Sequence, residues 1–288
     1  MVKAQTLAAP FRRLVNRRDF RDNPVKALAK RVAWRLRWLR TSEPMELRMN
    51  GGFSIAAPCG AAGALIYYLG NSEPESAGFI SGFLKPGMVF FDVGAHIGEY
   101  TLIASRGVGP NGEIHAFEAQ PDTFALLRRN CAANGADNVK LNRAAVCEHE
   151  GEVEFDISDE PSMSSMAGAV DVDRKRARIR VPGITLDQYC QTHGTWPSLL
   201  KIDVEGAELL VLRGAAEVLR RPPGEAPAII FECLNFTYVR FGYDRETVVA
   251  YLNAFGYEVF RMAEDGALLS DFGQSGQSAG YNLVALKS

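Results

Sequence analysis

The chain lacks any apolar run long enough to span a membrane, and its N-terminus lacks an apolar segment followed by a cleavage site. Neither a spanning helix nor a secretory signal is therefore expected. It also lacks a cysteine framework. Cys59, Cys131, Cys147, Cys190 and Cys233 are odd in number and scattered, and no pair has the CxxC spacing of zinc and redox sites. Reduced, mostly buried thiols in a cytoplasmic protein are the expectation. Histidine is scarce, and His115, His149 and His193 have no partners at metal-ligand spacing. Internal repeats, low-complexity tracts and an Asn/Asp-Pro-Pro-Tyr-type amide-binding loop are absent as well.

What is present is an unevenly charged chain of 288 residues, enough for one large domain with appendages. The net charge of −2 hides a split: residues 1–40 hold twelve Lys/Arg and two Asp, so the remainder carries an excess of twelve acids. An acidic main domain argues against a nucleic-acid groove across its face, and no nucleic-acid partner is expected. In the basic head, Val25, Leu28, Val32, Leu36 and Leu39 fall three or four apart on one helical stripe, ringed by Lys26, Lys30, Arg31, Arg35, Arg37 and Arg40. Trp34 and Trp38 lie on the opposite face. The plainest expectation is a helix docked by its Leu/Val stripe on its own domain. The sharper alternative is weak peripheral membrane contact through residues 24–40.

Met45 to Pro58 alternates around Asn50-Gly51-Gly52, a hairpin signal, and two helices follow, over 60–70 and 73–84. Strand and helix patterns then alternate to the end, as in a doubly wound α/β sheet. Val139 to Val146 reads as the third strand, and 208–219 as one helix. The stretches 151–157 and 176–181 read as an antiparallel insertion around the polar segment starting at Pro161. Three regions are expected: a basic extension (1–44), a hairpin-and-helix cap (45–85) and a main domain (86–288).

The main domain is organised around Met88 to Thr101. A short apolar strand ends at Asp92, Gly94 and Gly98 permit a tight turn, and a helix follows whose free amides face the turn. Dinucleotide enzymes set G-x-G-x-x-G at this place so that pyrophosphate sits on the helix N-terminus. Here a carboxylate precedes the turn, in the pattern Asp-x-Gly-x-x-x-Gly. It repels a pyrophosphate and suits S-adenosylmethionine, which carries an ammonium and a sulfonium and no phosphate. Glu118, ending the next strand, suits the two ribose hydroxyls.

With these residues the chain resembles the FkbM family of class I S-adenosylmethionine-dependent methyltransferases. The likeness rests on Phe91-Asp-Val-Gly-Ala-His-Ile-Gly-Glu-Tyr-Thr, Ala116-Phe-Glu-Ala-Gln-Pro and Leu200-Lys-Ile-Asp-Val-Glu-Gly-Ala-Glu, with Val211-Leu-Arg-Gly-Ala, Thr185-Leu-Asp-Gln-Tyr and Tyr281-Asn-Leu-Val-Ala-Leu in support. It covers residues 80–286 and not the basic head. The resemblance implies a mostly parallel, seven-stranded Rossmann-like sheet and O-methylation of a sugar, glycolipid or secondary metabolite. His96 stands where the family often has Asn.

The expected cofactor residues are Asp92, Gly94, Ala95, His96, Gly98, Glu118, Ala144, Ala145 and Asp203. Asp92 and Gly94 would meet the methionine end, and the alanines would flank the adenine. Asp203, Glu205 and Glu232 are the expected catalytic carboxylates, with Asp203 as base. The same three acids could hold a divalent ion; the metal-free reading is preferred. Substrate choice would fall to the cap, the insertion at Met163 to Met166 and the glycine-rich loop near Gly276. The rival readings are N-methylation of RNA or protein, a binding module without catalysis, and a nicotinamide oxidoreductase.

Overall fold

The computed structural model describes residues 18–158, 164–168, 175–262, 267–270 and 281–288. The chain divides into two compact units between Ser72 and Glu73. That boundary falls inside the 45–85 stretch: its hairpin and first helix belong to the N-terminal unit, its second helix to the larger one.

The N-terminal unit contains helices α1 (Arg18–Asp22) and α2 (Pro24–Trp38), a hairpin of β1 (Met45–Arg48) and β2 (Ser54–Ala57), and helix α3 (Ala61–Leu69). Asn23 caps α2 by accepting from the Lys26 amide, and Pro24 occupies its first position. The expected docking of α2 by its Leu/Val stripe is overturned. Ala27 and Trp34 are buried, whereas Val25, Leu28, Val32, Leu36 and Leu39 are exposed. The reason lies on α3. Trp34 stacks on Tyr67 with ring centroids 5.4 Å apart. The Lys30 ammonium donates to the Tyr67 and Tyr68 carbonyls, each at 3.1 Å, at the C-terminal end of α3, where the helix dipole favours a cation. Arg31 pairs with Asp19 at 2.7 Å. These contacts require the tryptophan face inward, so the aliphatic stripe turns outward.

The larger unit opens with α4 (Pro74–Phe83), then alternates β3 (Val89–Val93), α5 (Glu99–Val108), β4 (Glu113–Phe117), α6 (Pro121–Ala133) and β5 (Val139–Asn142). A smaller sheet interrupts the alternation. Its strands are β6 (Ala145–Val146), β7 (Gly151–Ser158), β8 (Ser165–Met166) and β9 (Lys175–Ile184), in the order β6-β9-β7-β8. The pairings of β7 with β8 and β9 are antiparallel, as expected of the insertion. The series resumes with α7 (Leu186–His193), β10 (Leu199–Ile202), α8 (Glu208–Arg213), α9 (Ala216–Arg220), β11 (Ala228–Cys233), α10 (Asn235–Tyr238), α11 (Arg245–Ala254), β12 (Tyr257–Met262), β13 (Leu268–Leu269) and β14 (Tyr281–Lys287).

The main sheet has the order β13-β12-β14-β11-β10-β3-β4-β5. Strands β3, β4, β5, β10 and β11 pair in parallel, and β14 runs antiparallel to both β11 and β12. The seven strands expected are present, and the two-residue β13 adds an eighth at the edge. Both faces are covered. Phe91, Val93, Phe117, Leu200, Ile202, Ile229 and Phe231 pack into one core with residues of α7, α8, α9 and α11. Alternate residues face the other way, where α5 lies: Asp92 bonds Thr101, and Lys201 sits over the Tyr100 ring.

Two elements are shorter than the sequence pattern suggests. The third strand stops at Asn142 rather than Val146. The Asn142 carbonyl accepts the Glu118 amide at 3.0 Å, and the chain then leaves the sheet to pair Ala145 with Gly183 in the smaller one. The helix over 208–219 breaks at Gly214, where a β-carbon would stand 2.0 Å from the Cys147 carbonyl oxygen. The segment 161–163, with Met163, and the glycine-rich loop at 273–280 lie outside the described residues.

Candidate active site

Strands β3 and β10 are neighbours, yet their successors β4 and β11 lie on opposite sides of the pair. Such a reversal opens a crevice at the C-terminal ends of the strands. Two turns line it. After β3, the Gly94 and Ala95 amides donate to the Phe117 carbonyl at 3.0 and 2.9 Å, and the His96 amide donates to Glu118 Oε2 at 2.9 Å. Gly98, at φ 94°, leads into α5; a β-carbon there would lie 2.7 Å from Leu127 Cδ1. After β10, the Asp203 amide donates to the Val93 carbonyl at 2.9 Å, and the buried Glu208 carboxylate accepts from the Val204 and Gly206 amides at 3.0 and 3.4 Å.

Among the described residues, the two non-glycine positions with positive φ are His96 (49°) and Glu205 (55°), one in each turn. Each costs about 1 kcal/mol or more, and strain of this kind concentrates where geometry serves a site. Gly94 has a reason of its own. At φ 80° its β-carbon would stand 1.8 Å from the Asp203 carbonyl oxygen. The two turns therefore meet backbone to backbone, and the glycine serves that contact as well as any ligand.

The charges are organised around Lys201, whose side chain is 1% exposed. It lies in register with Asp92 on the neighbouring strand, bonds Asp203 Oδ2 at 2.8 Å and sits 4.6 Å from the Tyr100 ring centroid. Burial works against its charge, but Asp203, Asp92 and Glu73 outweigh it and raise its pKa above the ordinary lysine value. Glu73, before α4, accepts from the Tyr100 hydroxyl at 2.8 Å and from Asn282 of β14.

Burial raises the pKa of Glu73 and of the other buried carboxyl groups of the site. Burial raises Asp92, whose Oδ2 accepts from Thr101 at 2.6 Å while its buried Oδ1 has no partner. Burial likewise lifts Glu118 to about 7, against the pull of two amide bonds, from His96 and from Gln120 at 2.8 Å. Burial and then the charge of Asp203 raise both Glu205 and Glu232. Each of these two has a buried oxygen without a partner, and with Asp203 their oxygens gather within 4.8 Å of one another. One divalent cation could span such a group. Burial lowers the His96 imidazole to about 4, so it is neutral at physiological pH.

The structure thus brings Asp92, Gly94, Ala95, His96, Gly98, Glu118, Asp203, Glu205 and Glu232 to one edge of the sheet. Ala144 and Ala145 follow β5 and are buried; Ala145 packs with Ala119, Val153, Phe155 and Ala207 under the smaller sheet. Lys201, Glu73 and Glu208 belong to the arrangement but were not among the expected site residues. Lysine inside the apolar run Leu199-Leu200-Lys201-Ile202 was a legible signal, because a buried cation requires anionic partners. Glu73 gave none.

A crevice rich in carboxylates, four of them (Asp92, Glu205, Glu208 and Glu232) with unpartnered buried oxygens, fits a ligand bearing positive charge and hydrogen-bond donors. It does not fit a pyrophosphate. Residues 92–259 match the methyltransferase FkbM domain. The chain belongs to the FkbM methyltransferase family.

Two curated relatives are each 30% identical. One is the hexuronic acid methyltransferase AglP of Haloferax volcanii, aligned over 133 residues, which are 46% of this chain and 52% of the relative. The other is the 31-O-demethyl-FK506 methyltransferase FkbM of Streptomyces tacrolimicus, aligned over 164 residues, 46% of this chain and 62% of the relative. The chain thus spans between about half and two thirds of the length of these relatives. A solved FkbM methyltransferase from Methylobacillus flagellatus is 15% identical with a TM-score of 0.45, over 78% of this chain and 54% of that one. A methyltransferase of Streptococcus mutans solved with SAH is 10% identical, TM-score 0.42, over 74% and 96%. The FkbM domain is of the S-adenosylmethionine-dependent kind.

Proposed function

We propose that this chain transfers the methyl group of S-adenosylmethionine to a hydroxyl of a sugar, glycolipid or polyoxygenated metabolite. The observation that carries the reading is the set of carboxyl groups gathered in the crevice. Asp92, Glu118, Asp203, Glu205 and Glu232 stand at the ends of four adjacent strands around Lys201. Such a site disfavours phosphate-bearing nicotinamide cofactors and favours a cation. The relatives' names, a hexuronic acid methyltransferase and a 31-O-demethyl-FK506 methyltransferase, support oxygen as the acceptor atom.

Asp92, with its unpartnered Oδ1, and the turn over Gly94, Ala95, His96 and Gly98 would hold the methionine end. Glu118 would hold the ribose: each of its oxygens takes one amide bond and keeps a second lone pair for a hydroxyl. When bound, the cofactor supplies an electrophilic methyl group. The protein's part is to align the acceptor and receive its proton. Asp203, fixed by Lys201 and 29% exposed, takes that proton as general base. Glu205 and Glu232, whose pKa values burial and the charge of Asp203 raise, would hydrogen-bond the acceptor oxygen and position it.

Incubating the protein with isotopically labelled S-adenosylmethionine and glycan or metabolite extracts, followed by mass spectrometry, tests the reading. Label on an ether oxygen of a hydroxylated acceptor is expected. Label on a nitrogen of RNA or protein would overturn the choice of acceptor atom.

A further inference from the structure

We infer that α2 is a membrane-surface element, lying with its Leu/Val stripe in the headgroup region of an anionic bilayer. The helix already has a docked face, formed by Trp34 and Lys30 against α3, with Ala27 buried as well. A second apolar face remains outside. Val25, Leu28, Val32, Leu36 and Leu39 are 77, 57, 50, 46 and 82% exposed, and they are five of the seven exposed large hydrophobic residues in the described chain. An apolar patch concentrated this way marks an interaction surface rather than ordinary scatter.

The charges around the stripe name the occupant. Helix α2 has no acidic residue. Exposed Lys26 borders the stripe on one side and exposed Arg35 on the other, positions from which a long stem can cover apolar surface while its charge stays in water. A second copy of the same helix would set like charges against one another. A single convex helix with cationic borders complements instead a flat, anionic, deformable surface, where apolar insertion and headgroup attraction act together. This proposal stands independently of the reaction proposed for the larger unit.

Vesicle flotation with the full chain tests it. Binding to phosphatidylcholine vesicles containing phosphatidylserine is expected, weakening with salt, and phosphatidylcholine alone should bind far less. The double substitution Val32→Asp, Leu36→Asp should weaken binding by about tenfold or more. Because both residues are exposed, its thermal unfolding should match that of the parent. Lys26→Glu with Arg35→Glu should remove the preference for anionic vesicles. Equal binding by parent and Val32→Asp, Leu36→Asp protein would overturn the proposal, as would absence of anionic-vesicle binding by the parent. A parent that elutes as a dimer, with the double variant a monomer, would assign the stripe to self-association and equally overturn it.

Discussion

The carbonyl oxygen of Asp203 occupies the place where Gly94 would carry a β-carbon, 1.8 Å from that position. The turn after β3 and the turn after β10 are thus built against each other, and neither can shift alone. Gly94→Ala would meet backbone, which cannot rotate away, and would hold alanine at φ 80°. We expect a loss of about 3 kcal/mol or more in stability, read as a fall in the urea midpoint. An unchanged midpoint would show that the turns are not locked.

Lys201 holds the anionic network together. Lys201→Met keeps the length and apolar stem but leaves Asp92, Asp203 and Glu73 without their shared cation. Breaking a buried pair from one side costs about 3–5 kcal/mol. A larger fall is expected at pH 8 than at pH 5, because protonation relieves carboxylates that have lost their partner. Equal losses at both pH values would contradict the electrostatic role.

Asp203→Asn should keep cofactor affinity near the parent value while turnover falls about 100-fold or more, the usual worth of a general base. Isothermal calorimetry and initial rates on the same preparation separate the two effects. Full activity of the variant would remove Asp203 as base.

His96 and Glu118, joined by one hydrogen bond, respond to pH in opposite senses. Glu118 titrates near 7 when folded and near its ordinary 4.5 when unfolded. Between those values the folded chain holds the extra proton, so this residue's contribution falls as pH rises. The His96 imidazole goes from an ordinary 6.5 to about 4 on folding. There the unfolded chain holds the extra proton, so stability falls as pH drops from 6.5 toward 4. Glu118→Gln should therefore steepen the loss of stability on acidification, and His96→Asn should flatten it, each by about 3 kcal/mol at most across its window. Asn also tolerates the left-handed backbone at position 96. Urea midpoints across a pH series provide the check; parallel profiles for parent and variants would refute the assignment.

The parts of the fold that were legible in the sequence are those where local pattern and tertiary need agree. The strand–turn–helix over 88–101, the acid after β4, the Thr185 cap on α7 and the hairpin at Asn50 each follow from residues within a few positions. Three features escaped local pattern. The third strand ends early because the chain after Asn142 leaves to pair Ala145 with Gly183 in the smaller sheet, which no periodicity records. The outward face of α2 depends on aromatic partners on α3, so two apolar faces could not be ranked from one helix. Glu73 meets Asn282 across 209 positions of sequence, and only the assembled sheet brings them together.

Calorimetric titration of the intact protein with S-adenosylmethionine and, separately, with NAD tests the central claim most directly. The acidic crevice predicts a saturable heat with S-adenosylmethionine, lost in Asp92→Ala, and none with NAD. Tight binding of NAD with no binding of S-adenosylmethionine would contradict the account.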